Sequence, residues 1–297
     1  MTWTGVFAPV PTPFDAADRV DTARIRAAFA RWLKTPLTGF VVLGSNGEAA
    51  LLDEDESDLV VGTVRELVPR GRPLIVGTGR ESTQAAVRAA RRAAELGADA
   101  VLVRTPGFFK SQMTSAVFVR HYTAVADASP VPVLLYNFTA VTGVTLQADA
   151  VAKLATHPNI LGMKESGGDI AQIAELVAVS TGQTFSVLAG SASTFYAALG
   201  AGASGGILAL GAVLPDACVR LFELMTQKRH DEALALQRQL APIARLLGAV
   251  YGVAGLKAAL PLIGIDAGLP RPPLMPVPDA GLDALKQALS SFQEAAV

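Results

Sequence analysis

Asn159-Ile160-Leu161-Gly162-Met163-Lys164-Glu165-Ser166-Gly167-Gly168 runs from a short apolar segment straight into a lysine, an acid, a serine and two glycines. Segment 160–163 is too short for a helix and apolar throughout, as a strand buried on both faces of a parallel sheet is. Seven other segments read alike: 5–10, 39–43, 74–76, 100–103, 131–136, 185–189 and 206–210. Helical patterns lie between them. In 21–34, Ile25, Phe29, Trp32 and Leu33 share one face, Asp53 followed by Glu56 has the spacing of a capping box, and 85–96 forms a helix that Gly97 ends. Eight such units in 228 residues predict an α/β chain folded as a (β/α)8 TIM barrel. Beyond Asp216 no strand pattern remains. Helices are expected at 221–228, 232–247 (with Pro242 kinking it), 255–263 and 282–292, and the five prolines of 268–278 force an extended connection. The expected division is a barrel over 1–228 and a C-terminal helical extension over 229–297 packed on it.

Composition narrows the function. The chain has 297 residues, 51% of them hydrophobic and 17% charged, so it can build a large core. A net charge of −1 supplies no broad electrostatic grip on nucleic acid or an anionic membrane. Cys218 is the only cysteine, which excludes an intrachain disulfide and a cysteine metal cluster. His121, His157 and His230 lack metal-ligand spacing, so no metal is expected. The first twenty residues lack the basic start and apolar run of a signal peptide, and glycines break up the charge-free stretch between Glu175 and Asp216. A cytoplasmic protein without a membrane segment is expected.

In a barrel of this kind the working residues come from the loops that follow the strands. Lys164 is the sharpest of them. Of seven lysines it is the one that closes an apolar strand at the barrel mouth, and an amine held among apolar walls is a nucleophile toward carbonyls. A lysine that pairs with Glu165 or reaches the rim fits the spacing equally well. Tyr136 ends the neighbouring strand, where a phenol can relay protons, although a core tyrosine with a satisfied hydroxyl is the commoner case. Ser45 and Asn46, between two glycines, can present amides and short side chains to a carboxylate, or form a plain turn.

These residues carry a resemblance over nearly the whole chain. The opening Gly5…Thr12-Pro13-Phe14, Gly44-Ser45-Asn46-Gly47-Glu48, Tyr136-Asn137 with Gly143, and Gly162-Met163-Lys164-Glu165-Ser166 are similar to the dihydrodipicolinate synthase / N-acetylneuraminate lyase family of class I aldolases. Within it, 81–84, 121–123, 157–160, 164–169 and 187–192 resemble the 4-hydroxy-2-oxoglutarate aldolase branch. The resemblance implies that Lys164 forms an imine with pyruvate, Tyr136 moves protons, and Ser45 and Asn46 hold the 2-oxo-acid carboxylate. It places Ser166 and Gly190 in the substrate pocket, and Ile207 where a backbone carbonyl faces the lysine. Val141 stands where the family's synthases carry a carboxylate-binding arginine, which argues against that synthase activity. Phe108 and Phe109 replace a relay tyrosine, so either the relay is shortened or another hydroxyl, a water or Ser45, completes it, and Arg104 either meets an acidic substrate or is paired on the barrel exterior. The implied reaction is cleavage of a 4-hydroxy-2-oxo acid, best guess 4-hydroxy-2-oxoglutarate, to pyruvate and an aldehyde, with no cofactor. Alternatives are a 2-keto-3-deoxy sugar-acid aldolase or dehydratase, an oxaloacetate decarboxylase, or a catalytically silent barrel that binds a small acid. The family implies a homodimer or homotetramer.

Overall fold

The structure is a computed structural model that describes residues 3–295. Its strands are β1 (Gly5–Pro9), β2 (Gly39–Val42), β3 (Leu74–Gly77), β4 (Ala100–Arg104), β5 (Val133–Asn137), β6 (Ile160–Glu165), β7 (Ser186–Ala189) and β8 (Gly205–Ile207). All neighbours pair in parallel, and β8 closes on β1, which makes the expected barrel. β8 is shorter than 206–210, because Ala209–Ala212 turns into a 3-10 helix.

The intervening helices are α1 (Thr22–Trp32), α2 (Glu54–Leu67), α3 (Thr83–Glu95), α4 (Ser115–Ala128), the single turn α5 (Thr139–Thr142), α6 (Ala148–Leu154), α7 (Ile170–Val179) and α8 (Phe195–Gly200). Asp21 caps α1, and the capping box forms at α2, with Asp53 and Glu56 each accepting the other's amide. Ser82, which the sequence reading passed over, caps α3 and starts it at Thr83.

Alternation along the strands separates two apolar regions. Phe7, Val41, Ile75, Leu102, Leu134, Tyr136, Leu188 and Ile207 fill the barrel interior, and the opposite parity packs against the helices. Between Val133 and Leu134 the β5–β6 register shifts, so that Val133 pairs with Ile160 and Leu134 with Gly162. Leu161 is therefore one residue extra. This bulge brings Lys164 into line with Tyr136, on the inward face.

Beyond the barrel come α9 (Pro215–Thr226), α10 (His230–Arg245), α11 (Gly252–Ala259) and α12 (Asp279–Ala295). Pro215 opens α9 well before the expected start, a position where proline's missing N–H is harmless. Pro242 lies inside α10 without ending it, and the helix widens into a π turn, Leu246–Val250, one turn later. Residues 268–278 contain no helix or strand. No helix among the described residues is long and apolar enough to cross a membrane.

The tail is fastened to the mouth by buried charges. Glu48, in left-handed conformation at φ 55°, has its Oε1 2.6 Å from Lys257 Nζ, and both side chains are almost fully buried. Glu48 Oε2 accepts from the Arg271 backbone N–H at 2.8 Å. The Arg271 guanidinium grips Glu56 with two bonds of 2.6 and 2.7 Å, and Phe14 lies beneath both cations. Burial draws the Lys257 ammonium below its ordinary pKa, and Glu48 opposes that shift. Lys257→Met leaves the Glu48 carboxylate buried without its cation, so urea unfolding should show a loss of about 3–5 kcal/mol. Adding Glu48→Gln should recover part of that loss.

Candidate active site

Lys164 and Tyr136 are cross-strand partners at the ends of β6 and β5. Lys164 is only 6% exposed, and its Nζ lies 4.5 Å from the centre of the Tyr136 ring. Neither a rim position nor a pair with Glu165 describes it. Glu165 faces the other side of β6, where its carboxylate accepts from Asn137 Nδ2 at 2.6 Å and from the Gly167 N–H at 2.5 Å. Burial raises the Glu165 carboxyl above the ordinary carboxylate range, against those hydrogen bonds.

The Tyr136 hydroxyl is 3.1 Å from Ser45 Oγ, so the two hydroxyls form a short proton path. Phe138 stacks on the tyrosine ring at 6.1 Å. Ser45 and Asn46 are half-buried in the 3-10 turn Ser45–Gly47 after β2. In that turn the amides of Gly47 and Glu48 bond back to Gly44 and Ser45, and Thr12 Oγ1 donates to the Gly47 carbonyl at 2.7 Å. The amides of Ser45 and Asn46 donate to none of the turn's carbonyls, which leaves them for an anion at the mouth.

Ser166 and Gly190 meet across the ends of β6 and β7. A Cβ on Gly190 would fall 1.9 Å from Ser166 Oγ and 2.9 Å from its Cα, and the buried Ser166 hydroxyl has no hydrogen-bond partner among the described residues. Gly190→Ala should lower stability by about 1–3 kcal/mol, read as a Tm shift, and raise KM by displacing Ser166. Ile207 is fully buried in the barrel interior with Tyr136. Val141 lies apart, 61% exposed in α5, and Phe108 and Phe109 are exposed in the loop after β4. Arg104 is paired. Its Nη1 donates to Glu81 at 2.7 Å, and Glu81 also accepts from the amides of Gly107 and Phe108.

Sequence reasoning missed several buried polar groups. Lys257, which nothing in the local sequence singles out, is 2% exposed. His121 is buried in α4, bonded through Nδ1 to Thr83, and burial pushes its pKa down to about 4. Cys218, by contrast, is the core thiol that its helical position beside Val219 and Leu221 suggests, pushed up to about 12 by burial. Among the described residues no group of three or more His, Cys, Asp or Glu side chains is placed to hold a metal.

A profile of the Dihydrodipicolinate synthetase family matches residues 2–292. The chain belongs to that family. It is an enzyme, a lyase of the pyruvate-dependent type. A relative from Emericella nidulans, named a probable mitochondrial 4-hydroxy-2-oxoglutarate aldolase, is 36% identical over 98% of this chain and 95% of its own length. A 4-hydroxy-tetrahydrodipicolinate synthase from Exiguobacterium sp. is 34% identical over 98% and 99%. Among solved structures, dihydrodipicolinate synthase from Thermotoga maritima superposes with a TM-score of 0.94 at 27% identity, covering 99% of each chain. A prophage protein of the family from E. coli K12, solved in complex with pyruvate, gives 0.92 at 27% identity over 99% of each chain.

Proposed function

We propose that the chain cleaves a 4-hydroxy-2-oxo acid to pyruvate and an aldehyde through an imine on Lys164, with 4-hydroxy-2-oxoglutarate as substrate and glyoxylate as the aldehyde. The observation that carries this reading is the line Lys164–Tyr136–Ser45, an amine beside a phenol whose hydroxyl is bonded to a second hydroxyl. The Lys164 amine adds to the 2-oxo carbon, and loss of water leaves an iminium. Ser45 and Asn46 hold the 1-carboxylate. Tyr136 takes the proton of the 4-hydroxyl, the C3–C4 electron pair moves onto the iminium nitrogen, and the aldehyde departs. The enamine left behind regains a proton at C3 through the Tyr136–Ser45 path, and water then frees pyruvate from Lys164.

Val141 disfavours the synthase activity that several relatives' names carry, since a valine cannot clamp a carboxylate. The Emericella relative's name supports the aldolase. We assign the chemistry to residues 1–228 and a framing role to 229–297, in a cytoplasmic homodimer or homotetramer. Light scattering tests the assembly.

Borohydride reduction with pyruvate, followed by peptide mass mapping, tests the mechanism. A reduced pyruvyl adduct on Lys164 is the expected result. Folded protein with no adduct at any lysine would sink the aldolase reading.

A further inference from the structure

We infer that Arg104 is the residue that selects the far carboxylate of the substrate. The inference rests on the aldolase reading above and names the group that would make 4-hydroxy-2-oxoglutarate preferable to an uncharged analogue.

Register supplies the first argument. Arg104 is the cross-strand partner of Tyr136, as Tyr136 is of Lys164, so the three residues form one row over β4, β5 and β6. Arg104 has the parity of Leu102, which lies in the barrel interior. Adjacent strands are about 4.8 Å apart. The row therefore has the order of the substrate's groups, with amine for C2, phenol for the C4 hydroxyl, and guanidinium for the carboxylate at C5.

Hydrogen bonding supplies the second. Nη1 is taken by Glu81 and by the Thr105 carbonyl, whereas neither Nε nor Nη2 donates to any described residue. That free Nε–Nη2 edge is one that carboxylates engage with two parallel bonds. Glu81 is itself pinned by two backbone amides, so it holds the guanidinium by one corner. Gly79, at the end of β3, makes room for this placement: a Cβ there would lie 2.4 Å from Arg104 Cγ.

The third argument is compensation. With Val141 in α5, the strand-five loop carries no cation of its own; Lys110, from the loop after β4, reaches it at Gly143, and the row itself holds an arginine one strand over.

The test compares two substrates that differ only at C5, 4-hydroxy-2-oxoglutarate and 4-hydroxy-2-oxopentanoate, in which a methyl replaces the carboxylate. Arg104→Met should lower kcat/KM for the dicarboxylate about 100-fold, mainly through KM. Turnover of the methyl analogue and borohydride trapping of pyruvate should stay within about twofold of wild type. Arg104→Lys, which keeps the charge and the stem, should fall between the two and serves as the readout if the methionine variant does not fold. An equal loss on both substrates, or no loss on the dicarboxylate, would overturn the assignment. So would a wild-type enzyme that traps pyruvate yet does not prefer the dicarboxylate, an outcome that leaves the aldolase reading standing. Failure of wild type to trap pyruvate would instead strike the aldolase reading itself.

Discussion

Lys164→Ala is expected to lower kcat by about 10⁴-fold or more and to abolish borohydride trapping, with folding intact. The size of the loss follows from the covalent step. Without the amine there is no iminium, and the C3–C4 electron pair has nowhere to go when that bond breaks. Folding should persist because the lysine is held at the mouth end of the barrel, beside the Tyr136 ring, with no buried carboxylate as partner. Lys164→Arg should be as inactive, since a guanidinium is not a nucleophile at neutral pH. Steady-state assays with coupled detection of pyruvate, together with thermal melts, check both variants. Activity above about 1% of wild type in either would contradict the imine mechanism.

The second large effect belongs to Tyr136→Phe. Loss of the hydroxyl removes the acceptor of the 4-hydroxyl proton and opens the 3.1 Å contact with Ser45, and kcat should fall by about 10²–10⁴-fold. Trapping of pyruvate on Lys164 should survive, because the amine is untouched. That split between retained imine formation and lost cleavage separates a proton-relay role from a packing role. Disruption of packing would depress both. The ring itself, stacked on Phe138, is preserved in the phenylalanine variant.

The sequence made the barrel legible because its strands are buried on both faces. Their short apolar runs stand out against helices whose apolar residues recur every third or fourth position. Lys164, Tyr136, Ser45 and Asn46 stood out for a related reason, since polar residues that follow such runs gather at one end of the barrel. What distance along the chain hid was pairing. Lys257, in the apolar helix α11, shows no local feature that announces its buried partner, because that partner, Glu48, sits near the other end of the chain. The bulge at Leu161 was equally hidden, for a run of apolar residues shows no parity, and the side each one faces is set only by the register with β5. Arg104 was seen as a cation with two possible fates. Only the hydrogen-bond geometry shows it half engaged, with one edge of the guanidinium left over.

The Glu48–Lys257–Arg271 cluster has a consequence for anyone who would transplant this chemistry. The turn that carries Ser45 and Asn46 ends in a carboxylate whose countercharges lie in the tail. A chimaera that takes the barrel from this chain and residues 229–297 from another protein inherits the mouth side chains but an orphaned anion beneath the Ser45–Gly47 turn. The smallest unit that can be exchanged between relatives is therefore the barrel together with Lys257 and Arg271, even though neither residue would ever touch a substrate.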